Sequence, residues 1–183
     1  MTRPLKEAQR TVPSFCKIRY SSSNGVRLLI LSQIASELDL LGIKFDEWFS
    51  EKTLLDNNEF QYCLQALEES GYVTRKDGAT WLKTSQLGEE KDNVLIRNNG
   101  IPTYYATDIA YHFNKFKKRN FDKVIDIWGA DHHGQIPRLK KALSLIKVDA
   151  SKLDVILVQM VRFKKGSVTE KLSKRKGTAI PLA

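Results

Sequence analysis

The chain has 183 residues, of which 42% are hydrophobic and 28% charged, and its formal net charge is +9 at pH 7. This length can bury a core, no apolar run is long enough to span a membrane, and no hydrophobic signal segment follows the polar start, so we expect a soluble, cytoplasmic protein without a membrane partner. Two cysteines far apart match neither a disulfide framework nor a zinc pattern, and the positive charge favours a polyanionic partner, either nucleic acid or a phosphorylated ligand.

The N-terminal third predicts a leader and then a helix. Residues 1–25 are polar and contain two prolines, and we expect most of them to form a poorly ordered leader. A helix is predicted from Val26 to a stop at Gly42. Its apolar residues follow helical spacing: Leu28, Leu29, Ile34, Leu38 and Leu41.

A loop, a second helix and a hairpin follow. Ile43 to Glu51 contains three aromatic residues beside acids and predicts a loop anchored by aromatic burial. Helical spacing indicates a second helix through four apolar residues, Phe60, Cys63, Leu64 and Leu67. Two short runs typical of strands flank Asp77-Gly78, a strong hairpin signal. The polar tract from Thr84 to Asn93 then indicates a subdomain boundary.

The next segment contains the first candidate binding residues. Val94 to Tyr105 predicts two short strands joined by an Asn-Gly turn, followed by a helix with Thr107 as its cap and Asp108 in its first turn. The helix dipole stabilises a carboxylate there, so Asp108 is expected to stay ionised. Asp108 near Tyr104 could clamp a guanidinium, whose planar fork of donors matches a carboxylate and whose face stacks on an aromatic ring. The alternative is that Asp108 only caps the helix and Tyr104 only packs.

Five basic residues crowd the end of this helix and the turn after it: Lys115, Lys117, Lys118, Arg119 and Lys123. Cations at a helix C-terminus complement the dipole, so the first interpretation is a solvated basic edge and the second is a nucleic-acid contact.

A strand-turn-helix motif comes next. The apolar run Val124-Ile125 leads into Asp126 to Arg138 and an amphipathic helix, a pattern typical of a strand that enters a helix through a tight turn. Ligands of parallel α/β folds bind at such turns, and Gly129 would let a ligand approach the main chain. A second buried strand is predicted at Leu153 to Val161, which makes the architecture α/β. The alternative is that Asp131 only caps the helix and the histidines are solvated.

A basic run with serine and glycine lies near the end of the chain. It consists of Lys171-Leu172-Ser173-Lys174 followed by Arg175-Lys176-Gly177. Two lysines three residues apart would place point charges and small donors around a polyphosphate, whereas the alternative is a mobile solvated loop.

Together these motifs resemble a known family. Lys171-Leu172-Ser173-Lys174 is similar to the Lys-Met-Ser-Lys signature of class I aminoacyl-tRNA synthetases. Pro102 to His112, Asp126 to Arg138 and Val158 to Val161 resemble arginyl-tRNA synthetases of the bacterial type. Phe45 to Glu51 resembles that family's segment between the two halves of the catalytic domain. The similar segments occur in family order and cover about three quarters of the chain.

The resemblance implies ATP-dependent activation of arginine and its transfer to tRNA(Arg), with Mg²⁺ accompanying the ATP. Tyr104 and Asp108 would hold the arginine side chain. Six residues would contact ATP: Gly129, Asp131, His132, Gln135, Met160 and Val161. Lys171, Ser173 and Lys174 would act as catalytic residues that stabilise the leaving pyrophosphate, an electrostatic role directed at charge that develops in the transition state.

One departure from the family is large. The signature His-Ile-Gly-His is absent, because the only histidines are His112, His132 and His133. We also expect no anticodon-binding domain after Thr178. The chain is therefore expected to be a catalytic-domain fragment, inactive when isolated. Its predicted parts are a leader at 1–25, a small α+β insertion lobe at 26–91, and the second half of a Rossmann-like nucleotide-binding fold at 92–183.

Two other classes of function stay open. Asp131-His132-His133 also resembles the Asp-His-His motif of manganese phosphoesterases, in which these side chains bind metal. The further aspartates and the glycine-rich histidine motif of such a site are missing from the sequence, and we predict no metal site. A non-enzymatic basic α/β module that binds RNA would explain the charge but not the motifs.

Overall fold

A computed structural model describes residues 22–159 and two short strands at 163–165 and 168–170. The chain divides into two compact units, the larger of which spans Trp48–Ser173. The smaller unit contains helix α1, Ser22–Leu40, which begins earlier than predicted. It ends as predicted, because Gly42 has φ +72° and the Ile43 N–H donates to the Leu38 carbonyl at 2.9 Å. No helix within the described residues has the length and apolar character that a membrane span requires.

The larger unit starts with two helices and the predicted hairpin. Helix α2 spans Lys52–Asp56, helix α3 spans Glu59–Glu69, and strands β1 and β2 span Val73–Lys76 and Ala79–Leu82. The four apolar residues predicted for α3 are its buried residues. Asp77 and Gly78 both have positive φ, 52° and 73°, as a two-residue turn between antiparallel strands requires.

Strand β3, Asn93–Ile96, pairs antiparallel with β2 and completes a three-stranded sheet in the order β1-β2-β3. The polar tract before it is a hydrogen-bonded turn, because the buried Thr84 hydroxyl donates to the Lys91 carbonyl at 2.8 Å and accepts from the Asn93 amide at 2.6 Å. The sheet therefore continues across residue 92, where the boundary between insertion lobe and nucleotide-binding half is predicted. That division of the chain stays a prediction.

Helix α4, Tyr104–Phe113, begins earlier than predicted, and the second strand after the Asn-Gly turn is reduced to a single bridge between Ile96 and Pro102. The predicted cap Thr107 is wrong. Thr103 is the cap, because its hydroxyl accepts from the Ala106 N–H at 3.3 Å and donates to the Val94 carbonyl of β3 at 2.7 Å. A π-helical turn, Asn114–Lys118, extends α4.

The predicted α/β architecture is confirmed. Strands β4, Val124–Gly129, and β5, Leu153–Val158, pair in parallel, and helix α5, Gln135–Leu145, connects them. Single 3₁₀ turns occupy 130–132 and 150–152. Strands β6, Phe163–Lys165, and β7, Val168–Glu170, form an antiparallel pair.

One hydrophobic core joins these elements. Among the described residues it includes side chains from α2, α3, the antiparallel sheet, α4, β4, α5 and β5. The fully buried members with the largest side chains are Leu54, Leu82, Leu95, Ile109, Leu139, Leu143 and Leu153. Helix α5, which follows the carboxyl end of β4, contributes Leu139, Ala142 and Leu143 to this core.

Candidate functional site

The carboxyl end of β4 places three predicted ATP-site residues in a short exposed turn. Gly129 is the last residue of β4, and the 3₁₀ turn Ala130–His132 separates it from α5. A Cβ at Gly129 would lie 2.6 Å from the Asp131 carboxylate, so glycine is required for that side chain to fold back over the strand end. The alternative interpretation of Asp131 as a helix cap is wrong, because α5 has Gly134 at its cap position and no side-chain cap.

The side chains of this turn face solvent and are arranged toward one another. The Gln135 amide nitrogen lies 2.6 Å from His132 Nδ1, and donation by the amide leaves the ring proton on Nε2. That Nε2 lies 3.8 Å from an Asp131 carboxylate oxygen. The turn therefore presents a carboxylate, an imidazole and an amide to a ligand at the end of a parallel strand, where α/β folds bind nucleotides.

The two predicted arginine-binding residues lie on one face of α4. Tyr104 and Asp108 are four residues apart, the spacing at which helical side chains are neighbours. Tyr104 is 80% exposed, whereas Asp108 is half-buried and accepts no hydrogen bond from the part of the chain that the structure describes. The prediction that Asp108 lies in the first turn is wrong, because α4 begins at Tyr104.

The electrostatics of Asp108 also differ from the prediction. Burial raises the pKa of this carboxyl group, and the charges of Glu51 and Asp126 raise it further. The cations His112 and Lys115 oppose them. Burial and the neighbouring acids therefore disfavour the ionised form of Asp108, and a cationic ligand would favour it.

Behind Asp108 lies a buried charged cluster that the sequence analysis missed. His112 Nε2 lies 2.7 Å from one Asp126 carboxylate oxygen and Lys115 Nζ lies 2.7 Å from the other. His112 Nδ1 lies 2.7 Å from the Asp108 carbonyl. Both ring nitrogens face oxygen acceptors, so the doubly protonated imidazole satisfies both. Asp126 would then balance one of the two positive charges beside it.

The cluster controls the ionisation of its acid. Burial would raise the pKa of Asp126, but hydrogen bonds from His112 and Lys115 and their positive charges outweigh it and lower the pKa to about 2. Lys115 also lies 4.5 Å from the centre of the Tyr111 ring, which stacks on Phe49 at 4.6 Å. The one sequence signal for this cluster is alternation, which puts Asp126 on the same inward face of β4 as Val124.

The two parts of the predicted site belong to neighbouring elements. Asp126 lies three residues before Gly129 on β4 and bonds His112 of α4, one turn after Asp108. Helices α4 and α5 are also tied together, because the Tyr105 hydroxyl donates to the Arg138 carbonyl at 2.8 Å. The other predicted site residues lie outside the described residues: Met160, Val161, Lys171, Ser173 and Lys174.

The class of protein follows from the parallel strand pair, from the polar turn between β4 and α5, and from a match to a family model. Residues 20–183 match the model described as tRNA synthetases class I (R), catalytic domain. The arginine–tRNA ligases of Acetivibrio thermocellus and Aquifex aeolicus are 51% and 50% identical over 83% and 84% of this chain. The chain belongs to the class I tRNA synthetase catalytic domains, in the arginyl-tRNA synthetase family.

Solved structures agree with the family and its fold. An arginyl-tRNA synthetase from Campylobacter jejuni is 38% identical with a TM-score of 0.69, over 86% of this chain and 36% of that one. The Thermus thermophilus arginyl-tRNA synthetase, 22% identical, has the same fold with a TM-score of 0.62 over 75% of this chain and 30% of that one. The chain spans about a quarter of the curated relatives, 27% and 26%. These matches give no support to the manganese phosphoesterase hypothesis.

Proposed function

We propose that this chain supplies the arginine-binding and ATP-binding parts of an arginine–tRNA ligase, which activates arginine with ATP and transfers it to tRNA(Arg). The observation that supports this most directly is the half-buried Asp108 carboxylate, which no described residue hydrogen-bonds, one helical turn from the exposed Tyr104. The relatives named arginine–tRNA ligase support the substrate class. A cytoplasmic location fits this activity.

Arginine would satisfy Asp108 better than other cations would. A guanidinium offers parallel N–H donors that match both carboxylate oxygens, whereas a lysine ammonium is a point charge. A bound guanidinium would favour the ionised form of Asp108, because an adjacent opposite charge opposes the rise in pKa that burial causes. Arginine affinity should therefore increase as the pH rises through the pKa of Asp108 and should level off above it, because only the ionised carboxylate pairs with the cation.

The buried cluster would support this carboxylate from behind. His112 and Lys115 both favour the ionised form of Asp108. Their own partner Asp126 keeps a pKa of about 2, so it remains charged at any pH at which arginine would bind. The cluster would thus hold a fixed charge pattern beneath the guanidinium without contacting the substrate.

The ATP would lie at the carboxyl end of β4 and β5. Gly129, Asp131, His132 and Gln135 would face the adenosine, and the main chain of Met160 and Val161 would complete this side. An arginine carboxylate oxygen would form a bond to the α-phosphorus, while the bond between the α-phosphorus and the oxygen that bridges it to the β-phosphate breaks. The bridging oxygen keeps the electron pair as pyrophosphate leaves. Lys171, Ser173 and Lys174 would stabilise that charge.

Mg²⁺ would accompany the triphosphate and neutralise its oxygens. No group of three metal-ligating side chains converges among the described residues. That donor set fits an ion held mostly by phosphate oxygens and water, with Asp131 as the carboxylate nearest the strand end.

Asp108→Asn tests the arginine site. The wild-type chain should shift amide resonances at the start of α4 when titrated with L-arginine, and L-citrulline should give no saturable shifts because it lacks the charge. Asp108→Asn should remove the response, since the amide cannot pair with a cation. Asp122→Asn, an equal change at an exposed aspartate, is the control. Unchanged arginine affinity in Asp108→Asn would leave this residue a structural role only.

Catalysis by the chain alone is a second test. We expect no arginine-dependent exchange of labelled pyrophosphate into ATP, even with Mg²⁺ and tRNA present. Reaction at phosphorus depends on donors that surround the phosphate, and losing one preorganised donor typically costs about a hundred- to a thousandfold in rate. The His-Ile-Gly-His donors are absent from this sequence. Exchange that disappears in Lys174→Ala would contradict this expectation.

A further inference from the structure

A groove beside the C-terminal end of α4 is unused by the proposed arginine and ATP sites. It has a volume of about 460 Å³. Its lining combines cations, amides and aromatic rings: Asn57, Asn58, Glu59, Tyr62, Phe113, Lys117 and Lys118. Helix α4 has 10 residues and the π-helical turn 5, so Lys117 and Lys118 of the groove lie about 20 Å along the axis from Tyr104 and about 14 Å from Asp108.

Two of the five clustered cations have no partner among the described residues, and both line this groove. Lys115 pairs with Asp126, Lys123 pairs with Asp154 at 2.8 Å, and Arg119 lies over the Phe121 ring at 4.6 Å. Lys117 and Lys118 are exposed, and no acidic side chain in the described part of the chain pairs with either. The first interpretation, cations that complement the helix dipole, does not explain why both lysines line the same groove. Their position there favours the second interpretation, a contact with nucleic-acid phosphates.

The acid of the groove is held away from these lysines. The Glu59 carboxylate accepts from the amide nitrogen of the buried Asn114 at 2.8 Å. That contact engages one oxygen of the carboxylate, and no ion pair joins Glu59 to either lysine among the described residues, so both lysine charges are available to an anion.

The groove also has a flat surface suited to a base. Tyr62 is 59% exposed, and its ring centre lies 5.1 Å from that of the buried Phe113, which supports it from behind. Asn57 and Asn58 lie at the junction of α2 and α3, and their side-chain amides have no hydrogen-bond partner among the described residues. Asn58 has φ +58°, which fixes this turn in a conformation that asparagine tolerates. Stacking on an aromatic ring and amide contacts to base edges are how proteins recognise unpaired RNA bases.

We propose that this groove binds one unpaired nucleotide of RNA. The base stacks on Tyr62, the amides of Asn57 and Asn58 contact its edge, and Lys117 and Lys118 contact the flanking phosphates. The identification of the RNA as the tRNA substrate rests on the proposed function. The groove's lysines lie nine and ten residues after Asp108, about 14 Å along the helix, so the groove holds a nucleotide other than the terminal one that receives arginine.

The test measures binding of the full chain to a tRNA(Arg) transcript by fluorescence anisotropy over a series of salt concentrations. Lys117→Ala with Lys118→Ala should weaken binding about tenfold or more and reduce the slope of log K against log salt by about 1.5, because two phosphate contacts are lost. Lys76→Ala with Lys91→Ala removes the same charge from two other exposed lysines and should change affinity less than about threefold. Equal losses in the two double variants would mean general charge attraction and would overturn the proposal.

Tyr62→Leu tests the stacking. It should weaken binding about fivefold or more while leaving the salt slope unchanged, because leucine preserves the contact with Phe113 but has no aromatic face. A single-stranded RNA should compete with the transcript better than a double-stranded RNA of equal length. Full affinity in Tyr62→Leu, or preferential competition by the duplex, would exclude an unpaired base in the groove, as would an absence of tRNA binding.

Arginine binding separates this proposal from the proposed function. The groove variants should bind arginine normally, and Asp108→Asn should bind RNA normally. RNA binding that requires the groove, in a chain that does not respond to arginine, would preserve the groove and refute the arginine site. Arginine binding that requires Asp108, in a chain whose RNA binding does not depend on the groove, would preserve the arginine site and refute the groove.

Discussion

The two sheets of the larger unit differ in how their faces are covered. The antiparallel sheet β1–β3 buries Leu82 and Leu95 completely against the helices, and an antiparallel sheet can expose its other face to water. The parallel pair β4–β5 buries Val124 and Leu153 on one face. Its other face is apolar and exposed, with Ile125, Ile127, Ile156 and Val158 between 46% and 70% exposed. Parallel sheets are normally covered on both faces, whereas among the described residues one face of the β4–β5 pair is left exposed.

The buried faces also differ in chemistry. The antiparallel sheet packs through Leu82, Leu95 and the buried Thr80, whereas β4 meets α4 through the Asp126 cluster. The strand that leads to the candidate ATP site therefore depends on a charged contact. A buried ion pair of this kind adds little net stability compared with apolar packing, but it strongly restricts which side chains are tolerated.

The largest effect is expected from Asp126→Ala. Removing this carboxylate leaves His112 and Lys115 beside each other without a counter-charge, which should cost about 3–5 kcal/mol in the free energy of unfolding. The control is Asp154→Ala on the neighbouring strand. Asp154 also pairs with a lysine, Lys123, but both side chains are more than half exposed, so the cost should be about 0–1 kcal/mol. Urea unfolding of both variants measures the difference, and similar costs would mean that the cluster is solvated.

Acid should weaken the same contact. The folded-state pKa of Asp126, about 2, lies below the ordinary value of 3.8. The unfolded chain therefore binds this proton first as the pH falls, and the stabilisation is present above about pH 4 and is lost toward pH 2. The difference in unfolding free energy between the wild type and Asp126→Asn should shrink over that interval. A difference that stays constant down to pH 2.5 would contradict the assigned pKa.

A further prediction compares the two sheets directly. Leu95→Ala in β3 removes a fully buried side chain and should cost about 2–5 kcal/mol, because it leaves a cavity. Ile127→Ala in β4 removes a side chain that is 70% exposed and should cost less than about 0.5 kcal/mol. Ile127→Lys should be tolerated as well and should reduce binding of a hydrophobic dye to the chain. A cost for Ile127→Ala near that of Leu95→Ala would show that the exposed face is covered in solution.

Local signals made much of this fold predictable. The Asp77-Gly78 turn fixes the β1–β2 hairpin, and helical spacing in α3 and α5 identifies the faces that the core buries. The start of α4 was not predictable in this way. Thr103 and Thr107 are equally good caps locally, and the bond from Thr103 to Val94 of β3 selects the first of them.

The candidate site shows the same limit. The motif residues Tyr104, Asp108 and Gly129 could be identified from their spacing and their family resemblance. The His112–Asp126 contact joins side chains 14 residues apart on two elements, so only the packing of α4 on β4 reveals it. The consequence is physical as well. Burial is the largest influence on the pKa of Asp108, and the charges of that cluster add to it or oppose it.

A small effect on stability is expected from Gly129→Ala, at the carboxyl end of the incompletely covered sheet. The new Cβ would come within 2.6 Å of the Asp131 carboxylate, which must rotate away, and a short exposed side chain can do so at a cost below about 1 kcal/mol. Gly134→Ala is the matched control, because no atom lies within 4 Å of its added Cβ and its φ is −67°. Thermal unfolding should hardly distinguish the two variants, whereas amide shifts of Ala130 to His132 and the response to ATP should change in Gly129→Ala alone. Equal responses to ATP would mean that the position of Asp131 is irrelevant to the nucleotide.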